Sequence, residues 1–157
     1  AIEHGILPAC RAREIGVLAY SPLQHGLLTG RYATADAVPA GRARSRHFAT
    51  GRELVRHGEA GQEAKTFATI ASLSGLAARH QRELSDAALA WIAAQPGVSC
   101  VLAGASSPAQ LAANVAALEN PLAPEAVQQF TAATEELRTA LGPNPDMWQG
   151  EAGSRYR

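Results

Sequence analysis

Two short apolar runs set the strongest limit on what this chain can fold into. Gly16-Val17-Leu18-Ala19-Tyr20 and Val98-Ser99-Cys100-Val101-Leu102-Ala103 carry β-branched or aromatic residues without the strict alternation of a half-solvated hairpin. Runs of this kind are expected of parallel strands covered on both faces. Parallel strands need a crossover between them, and the long helical stretch separating the two runs supplies one. No third segment reads as a strand, and a two-stranded sheet with open edges is marginal by itself. The 157 residues would hold one domain with a real core. However, 34 of the residues in the 46% apolar fraction are Ala. The expectation is an α/β architecture that is incomplete as it stands.

Charge narrows the function classes. Fourteen basic and fourteen acidic residues give a formal net charge of zero, which argues against nucleic acid or a membrane surface as a partner held by bulk charge. No apolar run approaches a membrane span, and the N-terminus lacks the order of a secretory signal. Cys10 and Cys100 are too few for a disulfide framework or metal cluster and read as core residues. The expected compartment is a reducing cytoplasm.

Helical periodicity fills most of the remainder. Residues 3–14 are expected to form a helix with Ile6, Leu7, Cys10 and Ile15 on one side and Gly16 as its stop. Residues 66–81 continue at helical spacing through Phe67, Ile70, Leu73 and Ala77. A helix at 85–95 has Ser85 as its N-cap and Leu84, Ala88, Trp91, Ile92 and Gln95 on one face. Ser107 caps a further helix with Pro108 at its first position and Leu111, Val115 and Leu118 turned inward. The last helix, 124–141, aligns Val127, Phe130, Thr134, Leu137 and Leu141 and stops at Gly142-Pro143. Between 26 and 64 no period is sustained, and Arg42, Arg44, Arg46, Arg52 and Arg56 crowd together. A long irregular segment in a compact domain is either functional or disordered.

Ligands of parallel α/β folds bind beyond the C-terminal ends of the strands. Tyr20-Ser21-Pro22-Leu23-Gln24-His25-Gly26 follows the first run, and Gly104-Ala105-Ser106-Ser107-Pro108 follows the second. The second combination suits an anion, because glycine admits a ligand to the backbone and a helix begins there with unpaired N–H groups. Gln110 and Asn114, four apart on that helix, could read an adenine or ribose beside the phosphates. The same residues also suit an ordinary strand–helix turn with a capping Ser and two solvated amides.

Two motifs add to this reading. Residues 16–32, with Tyr20-Ser21-Pro22-Leu23 before Gly26-Leu27-Leu28-Thr29-Gly30-Arg31, resemble the seventh-strand signature of the aldo-keto reductases. Residues 104–114, with Gly104-Ala105-Ser106, Gln110-Leu111 and Asn114, resemble the family's eighth-strand signature. The spacing between them agrees, as does Ala88-Leu89-Ala90-Trp91 ahead of Pro96-Gly97-Val98, so the resemblance runs over nearly the whole chain.

The resemblance implies that residues 1–157 are the C-terminal part of a single (β/α)8 barrel domain, beginning just after the sixth strand. The segment 26–64 would be an irregular loop and 143–157 a C-terminal tail; the start at Ala1, without Met, fits that expectation. It further implies that Tyr20 stacks on a nicotinamide ring. Ser21, Pro22, Leu23, Gln24 and His25 would wrap the diphosphate and ribose of NADPH. Arg31 matches a basic phosphate ligand, and Gly104, Ser106, Gln110 and Asn114 match the adenosine and 2′-phosphate site. Ala113 stands where the family has a Glu, which puts one adenine contact in doubt. Arg44 or Arg46 is the candidate from the loop to join this site. Trp148-Gln149, with Arg155 and Arg157, are candidates to close over a substrate pocket.

The family reduces aldehydes, ketones or sugars with a Tyr acid tuned by a Lys–Asp pair, beside a His. The single Lys here, Lys65, follows the seventh-strand loop, Tyr20 and Tyr32 belong to the cofactor motif, and none of the five His has metal-ligand spacing. No catalytic acid is assigned, and turnover is not expected of this chain by itself. No hydrolase elbow, Walker loop or Gly-x-Gly-x-x-Gly turn is present either. A second implied reading is a non-catalytic NADPH-binding regulator resembling potassium-channel β-subunits, and a third is a truncated product without activity. The unpaired strands call for the rest of a barrel or for self-association.

Overall fold

The computed structural model describes residues 1–154. A 3-10 turn at Ile2–His4 leads into α1 (Ile6–Ala12) and β1 (Val17–Tyr20). Further 3-10 turns at Gln24–Thr29 and Ala35–Ala37 precede α2 (Glu63–Arg79), α3 (Leu84–Ala93) and β2 (Val98–Leu102). Then come α4 (Pro108–Glu119), α5 (Pro124–Leu141) and a last 3-10 turn at Glu151–Gly153. The succession of helices and strands is the expected one, and among the described residues no barrel is closed.

β1 and β2 pair in parallel, Leu18 with Cys100, Ala19 with Val101 and Tyr20 with Leu102, with an irregularity between Val17 and Leu18. Gly16 sits beside that irregularity. A Cβ there would overlap Ser99 Oγ and lie 3.1 Å from Ser99 Cβ, so glycine is what admits β2. Its expected role as the stop of α1 falls instead to Glu14, whose φ of 56° turns the chain. Coverage on both faces is also corrected. The helix α3 packs against β2, while Leu18, Tyr20 and Leu102 on the other face are 59%, 71% and 48% exposed. Cys100 is exposed there too rather than buried in the core.

The core lies among the helices rather than on the sheet. α2 contributes Ile70, Leu73, Leu76 and Ala77, α3 contributes Leu84, Ala87 and Ala90, and α5 contributes Ala126 and Phe130. α3 begins at Leu84 with Glu83 as N-cap and no side-chain cap, because starting there carries Leu84 into the core; Ser85 is not the cap. Ser107 does cap α4, accepting a hydrogen bond from the Gln110 N–H at 3.2 Å. The inward face expected for α4 is not found: Leu111, Val115 and Leu118 are exposed and only Ala117 is buried. Small residues let α4 lie close on α3, which turns its larger side chains away. In α1 likewise only Leu7 is buried, with Ile6 and Ile15 exposed.

The segment 26–64 is irregular, as its sequence implies, but it is folded into the core. Phe48 is completely buried, and Val38 and Ala43 join the same cluster. The Arg46 side chain is buried: its Nε donates to Glu59 at 2.8 Å, Nη1 to the Asn144 carbonyl at 3.0 Å and Nη2 to the Leu141 carbonyl at 2.6 Å. Its backbone N–H donates to the Met147 carbonyl at 2.8 Å. Arg46 therefore ties loop to tail and is not available to a cofactor. Arg52 is paired with Glu63 and Asp36. The tail is structured as far as it is described; Arg155 and Arg157, named above as closing residues, lie outside the described residues.

Two outcomes follow from these contacts. Gly16→Ala lowers stability by about 1–3 kcal/mol through overpacking, and adding Ser99→Ala restores most of it; equal denaturation midpoints for Gly16→Ala and the parent would show that the approach is not tight. His47 is buried and hydrogen-bonded to Thr66 at 3.0 Å. Burial foremost, then the Ala1 ammonium and Arg46, pushes its pKa down to about 4. An unfolded histidine takes up its proton near pH 6.5, so stability is complete above that pH. It declines as pH falls toward 4, by up to about 3 kcal/mol. Thermal midpoints between pH 7.5 and 4.5 should show this slope, and His47→Gln should flatten it.

Candidate functional site

The turn leaving β1 is built from unusual backbone. Ser21, Gln24 and His25 adopt positive φ of 51°, 46° and 54°, and Gly26 follows at 95°. Only glycine takes this region freely, and each other residue there costs roughly 1–3 kcal/mol. Strained backbone of this kind concentrates where a surface is shaped for a ligand. Pro22 is buried, as are Gly26 and Leu27, so the turn is fastened from below.

Beside it runs a groove of about 370 Å³, lined by Ser21, Pro22, Leu23, His25 and Gly26 from β1's exit and by Leu102, Ala103 and Gly104 from that of β2. The two strand ends, far apart in sequence, thus make one cleft, of the size that small-molecule sites occupy. A Cβ on Gly104 would meet no protein atom within 4 Å. The space it leaves open is groove, not core, which suits a bulky ligand passing close to the backbone.

The other sequence candidates surround this cleft or leave it. Tyr20 stands at the end of β1 with an accessible ring, opposite Leu102. Gln24 is not brought in; it lines an apolar cavity of about 250 Å³ among α2, α3 and α5. Ser106 and Gln110 are bonded to each other, the Ser106 N–H and Oγ both donating to Gln110 Oε1 at 2.8 and 2.9 Å. Asn114 Nδ2 donates to the Gly104 carbonyl at 3.3 Å. These three polar side chains therefore hold the β2–α4 loop open and exposed, at the N-terminus of α4.

Cations gather on the β1 side. The Arg31 guanidinium lies against Gly26, where a Cβ would overlap it, and over the Tyr32 ring at 4.9 Å. Arg42 donates to the Tyr32 hydroxyl at 2.8 Å. Arg44 lies over the Trp148 ring at 5.5 Å. Burial, then the charges of Arg44 and Arg42, lowers the His25 pKa below the ordinary histidine value, which keeps that ring neutral at pH 7. Trp148 meets His25 edge to face, with ring centroids 5.1 Å apart. Arg42 and the backbone segment Leu102-Ala103 are site features the sequence does not single out; for Arg42 the signal was its place in the Arg cluster.

Among the described residues, no group of three or more His, Cys, Asp and Glu is placed to hold a metal ion, and no helix is long and apolar enough to cross a membrane. Lys65 pairs with Glu136 at 2.6 Å across α2 and α5.

A cleft at the ends of parallel strands, with cations near its β1 side, is the geometry that the comparisons with known proteins bear on. The sequence profile of the aldo/keto reductase family matches residues 1–135. Over 118 residues the chain is 40% identical to the NADH-specific methylglyoxal reductase of Escherichia coli (strain K12), covering 75% of this chain and 33% of that protein. Over 130 residues it is 32% identical to a putative voltage-gated potassium channel subunit beta of Schizosaccharomyces pombe, covering 82% and 36%. A glycerol dehydrogenase of Gluconobacter oxydans shares the fold, with a TM-score of 0.65 at 23% identity over 90% of this chain and 40% of that one. The chain spans about a third of the length of the curated relatives it matches. The aldo/keto reductase family is in general one of oxidoreductases that use nicotinamide cofactors. With the family profile covering most of its length, the chain belongs to the aldo/keto reductase family.

Proposed function

We propose that this chain supplies the cofactor-binding wall of an NADPH-dependent oxidoreductase acting on an aldehyde, ketone or sugar. The observation that carries the reading is the groove between the ends of β1 and β2, open over Gly104, with Arg31 against its Gly26 and the charges of Arg42 and Arg44 near its His25. Its size and its exposed backbone suit the diphosphate and a ribose of a dinucleotide. The cations suit its phosphates, and Arg pairs with a phosphate through two parallel hydrogen bonds.

The roles divide along the groove. Tyr20 offers its flat face to the nicotinamide. Ser21, Pro22, Leu23 and His25 shape the channel for the diphosphate, with Arg31 beside Gly26. Gly104 leaves room for the chain of the ligand, while Ser106, Gln110 and Asn114 present the polar loop at the start of α4 to the adenosine. Arg44, exposed beside Trp148, holds a 2′-phosphate. The bound dinucleotide supplies hydride to a carbonyl carbon, or accepts it in reverse. The proton that accompanies reduction has no donor assigned in this chain: Lys65 is engaged with Glu136, and the Tyr32 hydroxyl accepts from Arg42. In the complete assembly the open face of the sheet is covered by further βα units of a barrel, which bring the acid.

The relative named a potassium channel subunit beta favours a second reading, in which the same groove binds NADPH in a regulator that does not turn over a substrate.

Titration calorimetry with NADPH and NADH tests the first proposal. The chain is expected to bind NADPH, and Arg44→Ala to weaken it about tenfold while NADH binding changes less than about twofold. Equal losses for both cofactors would remove Arg44 from the 2′-phosphate, and failure to bind either would overturn the reading of the groove. A reductase assay of this chain with NADPH and a generic aldehyde should stay at background; turnover would show that it contains its own acid.

A further inference from the structure

The backbone of the turn around His25 is held by hydrogen bonds from the Gln24 N–H to the Ser21 carbonyl and from the Gly26 N–H to the Leu23 carbonyl, both at 2.9 Å, but the His25 side chain is exposed above it. His25 stands at φ 54° between Gln24 at 46° and Gly26 at 95°, three successive residues in the left-handed region. Its ring makes no hydrogen bond among the described residues, and it stands in the field of the Arg44 and Arg42 charges. What it does touch is Trp148, whose ring meets it edge to face at 5.1 Å and an interplanar angle of 70°.

Trp148 is in turn firmly held. Its backbone N–H donates to Asp146 Oδ1 at 3.0 Å, as does the backbone N–H of Gln149 at 3.3 Å, and Asp146 is almost completely buried. The Arg44 guanidinium lies over the indole at 5.5 Å. One residue earlier, the Met147 carbonyl accepts the backbone N–H of buried Arg46, whose side chain also binds the Leu141 and Asn144 carbonyls. The tail, tied to the loop and to the end of α5, therefore brings an aromatic ring against His25 at the edge of the groove.

We propose that Trp148 is a positioning residue for the groove: it holds His25, and with it the left-handed turn, in the shape that receives the dinucleotide's diphosphate. This rests on the reading of the groove as a dinucleotide site and adds to it an assignment of the tail, which bears on the cofactor turn. When the support is removed, the turn relaxes toward ordinary backbone and the binding-competent fraction falls, weakening apparent affinity in proportion. An edge-to-face aromatic pair sets the scale at about three- to tenfold.

The test titrates NADPH into the full chain and three variants, with circular dichroism confirming the fold of each. Trp148→Phe, which keeps a ring edge, should bind within about twofold of the parent. Trp148→Ala should bind about three- to tenfold more weakly, chiefly through slower apparent association in stopped-flow mixing. In a His25→Ala background the same Trp148→Ala change should have no further effect, because the two residues act as one unit. A Trp148→Ala chain that binds as well as the parent, losses that add in full in the double variant, or equal losses for Phe and Ala would each overturn the proposal. Should Trp148→Ala unfold the tail, Trp148→Leu keeps the bulk without the ring edge and carries the same expectations. A parent chain that binds neither NADPH nor NADH would refute the dinucleotide reading itself, and the positioning role with it, before any variant is compared.

Discussion

The buried guanidinium of Arg46 is the contact on which the arrangement of loop and tail depends. A charge taken out of water has to be met by partners on most of its donors, and here they come from three places: the carboxylate of Glu59 and the carbonyls of Leu141 and Asn144. Leu141 is the last residue of α5, so the side chain stitches the end of the final helix to the middle of a segment with no regular structure. Helix carbonyls at a C-terminus lack intrahelical partners and carry partial negative charge, which is why a cation fits there better than a neutral donor. With this point fixed, Phe48 can be sealed in the core, and Trp148 is carried to the edge of the groove.

Where regular packing decided the structure, the sequence told most of it. Pro108 after Ser107 and Gly142 after Leu141 set helix limits through local chemistry, and those limits hold. Phe130 and Leu137 at helical spacing are buried as their period implies. Periodicity misled at α4, since it reports that one face is apolar but not what lies against it. Leu111, Val115 and Leu118 form a genuine stripe, yet Ala117 makes the close approach to α3 and leaves that stripe outside. Gly16 misled differently: a glycine after a helix suggests a stop, whereas the cause here is a strand partner, Ser99, far along the chain.

The groove was legible in its ingredients but not in its assembly. The Ser21-Pro22-Leu23 and Gly104 segments could be named as candidates because parallel strands expose their C-terminal ends to ligands, and they do meet in one cleft. The Arg cluster could not be sorted. Its members look alike in sequence, and burial alone separates Arg46, which is spent on structure, from Arg44, which remains exposed beside Trp148. Gln24 shows the same limit within a motif: a one-residue step along a left-handed turn is enough to point it into the apolar cavity while His25 faces the groove.

The exposed side of the sheet and the left-handed turn are two consequences of one design. In a two-stranded parallel sheet, Leu18, Tyr20 and Leu102 gain nothing from facing water, and four- and five-residue strands hold few ladder bonds. The strand ends therefore cannot owe their positions to the sheet alone. They are set from behind by the helical core, through Pro22 and Leu27 under the turn and α3 against β2, and from the side by the tail. Such an arrangement lets the open face accept further strands without reshaping the groove, because the groove's walls are anchored to elements that lie on the opposite side. The Ser106–Gln110 and Asn114–Gly104 hydrogen bonds extend the same logic to the second strand. The loop that presents Gly104 is fastened to its own helix, so its shape is independent of whatever covers Leu102.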